Sequence, residues 1–297
     1  MEAYFDNAAT TKVFPEVKDL VVKLMEEDYG NPSSLHQKGL DAGHYIKETK
    51  EILAKEWKVD SKEIVLTSGG TESNNLALIG VALANKRSGN RIITTKVEHA
   101  SVSSTMAFLE SLGFEIIYLN VDHRGIVDLE QLEQEVNEDT ILVSVMYVNN
   151  ETGTVEPIQE IAEIIKEKNP KTLFHVDAIQ AFGKYHIYPK RMGIDLMSVS
   201  GHKIHGPKGT GALFIKNRTK VKPIIYGGGQ QGGMRSGTEN VPGFAGFGLA
   251  TKMVYEDLEA RTVRMRAVKD RLTERLKTLP DVYINEGEAP HILSVSF

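Results

Sequence analysis

Leu196-Met197-Ser198-Val199-Ser200-Gly201-His202-Lys203 continues through Ile204 to Gly206, Pro207, Gly209 and Gly211, and a second apolar run, Ala212 to Ile215, follows. The first run is short, has β-branched character and stops at a small-residue turn, so two strands separated by a glycine- and proline-rich loop are expected. Lys203 stands directly after the turn. An amine held between two strands can act as a nucleophile once its surroundings depress its pKa, and the usual product is a Schiff base. A solvated loop lysine is the alternative, and the other strand ends decide between them.

Outward from this stretch, apolar strand-like runs alternate with helical ones. The strand candidates are Glu63–Thr67, Arg91–Thr95, Phe114–Leu119, Thr140–Val148, Thr172–Val176, Leu196–Val199 and Gly211–Ile215. Between several of them, at Asn74–Asn85, Ser101–Leu112 and Ile158–Lys168, apolar residues recur at helical spacing. Buried runs alternating with helices indicate an α/β fold with a mainly parallel sheet. Upstream, an extended arm over residues 4 to 14 leads to a helix that can begin at Pro15, and an amphipathic helix runs from about Gly39 to Trp57. Downstream, a glycine-rich loop (Gly227 to Thr238) precedes Asn240, which can cap a helix continuing to about Leu279. Its first half is apolar and its second half is charged, so it reads as a bridge into a second domain. That gives an arm over 1–14 contributing to the smaller domain, a large domain over 15–255, and the start of a small domain over 256–297. The segment Ile292–Phe297 reads as a strand, and the chain stops in mid-element.

Composition sets wide bounds. Of 297 residues, 41% are hydrophobic and 25% charged, ordinary values for a globular protein. A net charge of -5 gives no reason to expect nucleic acid. No apolar run reaches the ~18 residues a membrane span needs, and no secretory signal is visible, so a cytoplasmic location is expected. There are no cysteines, which removes disulfides, cysteine-ligated zinc and a thiol nucleophile from these residues.

In an open parallel sheet, ligands bind beyond the carboxyl ends of the strands. Those ends carry Ser68-Gly69-Gly70-Thr71, then Glu98-His99, Asn149-Asn150-Glu151-Thr152-Gly153, Asp177 with Gln180, and Ser200 with His202 and Lys203. Gly70 and Thr71, opening a helix, make a phosphate cradle or a plain turn. Asp177, costly if buried alone, suits a protonated ring nitrogen or caps a helix. His99 can stack on a flat ring and exchange protons, or cap a helix. His202 and His205 raise a metal site, but no carboxylate or thiol sits at matching spacing, so none is expected. Together the signals describe one ligand with a phosphate, a flat basic ring and an aldehyde, which is pyridoxal 5'-phosphate.

These stretches, with Asp6-Asn7-Ala8-Ala9-Thr10-Thr11, Gly30-Asn31-Pro32-Ser33-Ser34, His175 to Gln180 and Arg235-Ser236-Gly237-Thr238-Glu239-Asn240, resemble the cysteine desulfurases, and the His202-to-Gly209 run resembles the NifS-like branch. The resemblance covers nearly all of residues 4 to 250. It implies aminotransferase fold type I, a large domain built on a seven-stranded sheet with a smaller α+β domain that is incomplete here, and a homodimer with shared active sites. It also implies that Lys203 forms the Schiff base and carries protons, Asp177 pairs with the ring nitrogen, Gln180 binds the ring hydroxyl and His99 stacks on the ring. Thr71, Ser200 and His202 would hold the phosphate with the Gly70 backbone, and Thr238 would reach the phosphate of the other subunit. Asn149 and Asn31 would lie near the ring and the substrate carboxylate. The implied reaction removes sulfur from L-cysteine, giving L-alanine and an enzyme persulfide for an iron–sulfur scaffold or another sulfur acceptor. The persulfide cysteine and the carboxylate-binding arginine of the family have no match up to Phe297, so the chain reads as a fragment. A selenocysteine lyase or aminotransferase of the same fold, or a non-catalytic cofactor-binding scaffold, are the alternatives.

Overall fold

The computed structural model describes residues 3–285 and 287–297. Its seven-stranded sheet runs β1 (Ile64–Thr67), β7 (Gly211–Ile215), β6 (Leu196–Ser200), β5 (Leu173–Asp177), β4 (Thr140–Met146), β2 (Arg91–Thr95) and β3 (Glu115–Leu119) in spatial order. Only β7 is antiparallel to its neighbours in this sheet. The carboxyl ends of β1, β2, β4, β5 and β6 therefore share one rim, and the first residue of β7 arrives at the same edge. The expected strand positions hold to within a residue or two, and the mainly parallel α/β reading with them.

Strand alternation divides the core into two layers. Val143 and Val145 of β4, with Phe174 and Val176 of β5, pack with α1 (Pro15–Glu26), α2 (Gln37–Trp57), α6 (Ile158–Lys168) and α7 (Val241–Glu256). Leu142 of β4 and Ile92 of β2 face the other way, against α3 (Gly70–Asn85) and α4 (Ala100–Ser111). Successive side chains of a strand point to opposite faces, so both layers are filled by the same strands. Trp57, Phe182, Phe247 and Tyr255 interlock on the first side, with ring centroids 5.5 to 6.1 Å from Phe182. At such spacing, edge-on and tilted rings add to the burial of each side chain. A short helix, α5 (Leu129–Glu135), capped by Asp128, lies between β3 and β4, where the periodicity of the sequence marks none.

One expectation is corrected. The single helix from Asn240 to about Leu279 is two: α7 ends at Glu256 and α8 (Leu258–Leu276) begins after Asp257, whose φ of -127° and ψ of 25° leave the helical region. Asn240 does cap α7, accepting from the Gly243 N–H at 3.1 Å. The two helices live in different surroundings: α7 is buried on nearly every side, whereas Leu258 is the one buried residue of α8. The chain leaves the core at this break, and Asp257 turns its carboxylate to Arg264 at 2.6 Å. The strand expected over Ile292–Phe297 is shorter, β9 (Ser294–Ser296), and pairs antiparallel with β8 (Tyr283–Asn285).

Candidate active site

Backbone sterics build the phosphate-like end of the rim. Gly69 has φ 150° and ψ -175°, a region open to glycine, and this bend starts α3 at Gly70. At Gly211, an added Cβ would come 2.7 Å from Gly69 Cα and 2.6 Å from Val199 O, so the bend lies directly against the start of β7. The first N–H groups of α3 have no intrahelical acceptors and carry the positive end of its dipole. Ser200, 1% exposed at the end of β6, presents an Oγ with no hydrogen-bond partner among the described residues. Burial together with the cations Lys203, Lys208 and Lys184 pushes His202 down to about 4, so its ring is neutral and has one N–H to give. Glu72 ties the bend to the glycine-rich loop: its carboxylate accepts from Ser68 N at 2.9 Å and from Arg235 Nε at 2.8 Å.

The opposite end is a polar network on the floor. Asp177 closes β5, is 4% exposed, and accepts from Ile179 N at 3.0 Å and from Asn74 Nδ2 at 2.7 Å. Burial raises its pKa, and those two bonds with the nearby Lys203 charge only partly offset it. Such a carboxylate is a receptor for a cation. Asn74 also donates to Ser101 Oγ at 2.9 Å. His99 caps α4: its Nδ1 accepts from Ser101 N at 3.1 Å, which places the proton of the neutral ring on Nε2. Beneath them, burial, helped by the Asp177 charge, pushes the Glu98 carboxyl up to about 8; its Oε1 accepts from Met146 N and Thr95 Oγ1.

Lys203 lies between these ends, on a single 3-10 turn, Gly201–Lys203. The arm crosses the turn: Thr11 donates its N–H and hydroxyl to His202 O at 2.9 and 2.8 Å. The Lys203 ammonium donates to Ala8 O at 2.5 Å and Ala9 O at 3.0 Å. Burial lowers its pKa, while Asp177, Asp6 and Glu151 act in the opposite direction. A loop lysine in bulk solvent has neither the burial nor these partners.

A cavity of about 440 Å³ joins the parts. Of the eleven residues singled out from sequence, eight line it: Gly70, Thr71, His99, Asp177, Gln180, Ser200, His202 and Lys203. The other three do not line it, although Asn149 stands between Val148 and Asn150, which do. Asn149 spends its amide locally, donating to Val97 O and accepting from the Glu151 and Thr152 N–H groups, so it shapes the turn after β4. Asn31 accepts from Ser33 N in an exposed loop, and Thr238 is exposed on the glycine-rich loop. His205 gives its Nδ1 contact to Lys12 O and stacks on Phe14 at 4.3 Å. Among the described residues, no three of His, Asp and Glu are grouped to hold a metal ion. Asn74, the donor to Asp177, carries no role in the sequence reading, although its place one turn into α3 beside a Gly-Gly bend is a usable signal.

The class-V aminotransferase profile matches residues 3–297. The cysteine desulfurase IscS of Dictyoglomus turgidum is 44% identical, over 100% of this chain and 76% of that protein. The chain belongs to the cysteine desulfurase family. Within this family, a NifS-like protein of known structure superposes with a TM-score of 0.97 at 42% identity, over 100% of this chain and 82% of that one. A structure described as SspA in complex with cysteine gives 0.81 at 39% identity, over 84% and 72% of the respective chains. These relatives bear out the aminotransferase fold type I reading of the sheet. No helix among the described residues is long and apolar enough to cross a membrane.

Proposed function

We propose that this protein is a pyridoxal 5'-phosphate-dependent cysteine desulfurase, and that the rim cavity is its active site. The observation that carries the reading is the convergence of a half-buried amine, a buried carboxylate short of a cation and a buried hydroxyl without a partner. The cofactor fits that set. Its phosphate suits the N-terminus of α3, Thr71, the orphaned Ser200 Oγ and the neutral His202; its ring nitrogen suits Asp177; its hydroxyl suits Gln180. When bound, it supplies an electron sink for charge developing at the substrate α-carbon.

The residues of the chain do the rest. Lys203 Nζ would hold the cofactor covalently and carry the proton at the substrate α-carbon, a role its lowered pKa favours. Asp177 would keep the positive charge at the nitrogen end of the ring. His99, whose Nδ1 accepts from Ser101 N, would pack on the ring face and assist proton transfer there. The overall change is L-cysteine plus a thiol giving L-alanine plus a persulfide, with the sulfur passing from carbon to the thiol sulfur. The 297 residues contain no cysteine to provide that thiol. The same proposal includes a cytoplasmic homodimer in which Thr238 of each subunit completes the phosphate site of the other, with Asn31 near the substrate carboxylate, and delivery to an iron–sulfur scaffold. It also keeps Asn149 as a support beside the ring, and the division into a large part over 15–255, a smaller one from 256, and an arm over 1–14 contributing to the smaller.

The test begins with absorbance. Protein mixed with the cofactor should show a band near ~420 nm, and Lys203→Ala should abolish it. These 297 residues alone, without a cysteine, should not complete the reaction. A chain that also carries the family's persulfide cysteine, given L-cysteine and a thiol reductant, should yield alanine and sulfide in equal amounts. A colourless mixture, or cysteine left intact by that coloured cysteine-bearing chain, refutes the respective half of the proposal.

A further inference from the structure

The segment 287–292 is fastened to the rim from below. Ala289, fully buried, donates its N–H to Gly153 O at 2.9 Å. Lys269 of α8 donates to Ala289 O at 2.8 Å and also to Gly287 O. Gly153, at φ 74°, lies so close to Ile292 that an added Cβ would stand 3.0 Å from the Ile292 Cβ. Two residues after Ala289, the His291 ring reaches Gln180: Nε2 lies 3.2 Å from Gln180 Oε1. Gln180 in turn donates from Nε2 to Ala8 O at 2.9 Å.

The protonation pattern of this pair is fixed by its partners. Burial and the cations Lys184, Lys269 and Lys203 push His291 down to about 2, so the ring is neutral with a single N–H. Ala8 O can only accept, so the Gln180 amide must present nitrogen to it and oxygen to His291. His291 therefore carries its proton on Nε2. Its Nδ1 is buried with no partner among the described residues. A flipped Gln180 would set oxygen against the Ala8 oxygen and nitrogen against His291 Nε2–H, losing both bonds. His291 and the arm thus hold the amide from its two ends and leave one Gln180 N–H for the cavity.

We propose that His291 is a positioning residue, which fixes the Gln180 amide at the cofactor cavity and so makes cofactor binding depend on the docked 287–292 segment. The inference rests on the pyridoxal phosphate reading of the cavity. Its test is a double-mutant cycle on the cofactor dissociation constant of the 297-residue chain, measured by absorbance titration. His291→Ala should weaken binding about 3- to 10-fold, the worth of one hydrogen bond. Gln180→Ala should weaken it at least as much, and adding His291→Ala to that background should cost less than about 2-fold further. His291→Gln, whose amide nitrogen can stand near the imidazole Nε2 position, should recover most of the affinity. A general structural role would instead lower binding equally in both backgrounds, with no recovery in His291→Gln; additive losses of that kind overturn the inference while leaving the cofactor assignment intact. An unaltered chain that binds no cofactor overturns both together.

Discussion

The strand-end rim and the 258–297 region are built on opposite principles. The rim places Asp177 and Ser200 at the tips of strands whose side chains are almost wholly buried, and His99 at the cap of α4, which buries one face. Beyond Asp257, α8 buries Leu258 alone, and Val263, Val268 and Phe297 are 67%, 58% and 88% exposed. A catalytic group needs positional accuracy of a fraction of an ångström, which rigid strands supply and a thinly packed helix does not. The downstream region is held at a few points, and one of them, the Gln180–His291 contact, reaches a residue that lines the cavity.

Matched truncations give the largest contrast. Phe182 is fully buried among Trp57, Phe247 and Tyr255 behind the Lys203 turn. Phe182→Ala should cost about 3–5 kcal/mol of unfolding free energy, from lost transfer and the residual cavity. Val268→Ala, at an exposed position of α8, should stay within about 0.5 kcal/mol. Denaturant melts of both variants decide the matter. Equal losses would mean that α8 belongs to the same cooperative core, and the contrast would fall.

The rim also buries titratable groups, and that sets a pH dependence. Glu98 titrates near about 8 in the folded chain, against an ordinary ~4.3 when unfolded. Between those values the folded state holds the extra proton, so stability falls as pH rises. Glu156, pushed up to about 7 chiefly by burial, adds the same sign. His175 and His291, held down near about 3 and about 2 by burial, act below ~6.5: the unfolded chain takes protons there that they refuse, so stability falls as pH drops. Glu98→Gln keeps the acceptor for Met146 N and Thr95 Oγ1 and removes the ionisation. Thermal melts of cofactor-free protein should show a flatter alkaline limb, with a midpoint higher by about 2–4 °C at pH 8, and an unchanged acid limb. A variant as pH-sensitive as the parent on the alkaline side would show that Glu98 is ionised in the folded chain.

The contrast between the regions also explains what the sequence discloses. A buried strand forces an unbroken apolar run, and its polar successor then stands out, so Asp177, Ser200 and His99 are legible one by one. The N-terminus of α3 is legible because only glycine accepts the Gly69 backbone. The change from an apolar to a charged stretch is legible near Glu256, but the break of the helix at Asp257 is not, since no glycine or proline marks it. Asn149 shows that one amide at a strand end can have two uses: its own turn occupies it with bonds to Val97 O and from the Glu151 and Thr152 N–H groups, and the residue types do not tell this from a place beside a ligand. His291 is illegible for a different reason. It lies in a short run after Pro290, and its partner is 111 positions away, a distance that only the fold brings to 3.2 Å.

The smallest expected effect concerns the fastening of that downstream segment. Lys269 is half-buried, and burial, together with the nearby Arg266 charge, lowers its pKa against the pull of Asp270 and Glu288. Its two backbone acceptors, on Gly287 and Ala289, draw the segment under the Asn149–Gly153 turn. Lys269→Met keeps much of the aliphatic stem and removes the donor. The loss should be about 0.5–1.5 kcal/mol, too small for a clear change in a global melt of a chain this long. Amide exchange can resolve it: protection at 287–292 should fall about 2- to 10-fold, while Ile179 and Ser101 at the rim keep theirs. Such a result would make the downstream region a separately opening unit, attached to a rim that does not need it to stay folded. Equal loss of protection at Ile179 and Ser101 would mean that the two regions open together, and that the rim borrows its rigidity from the segment beneath it.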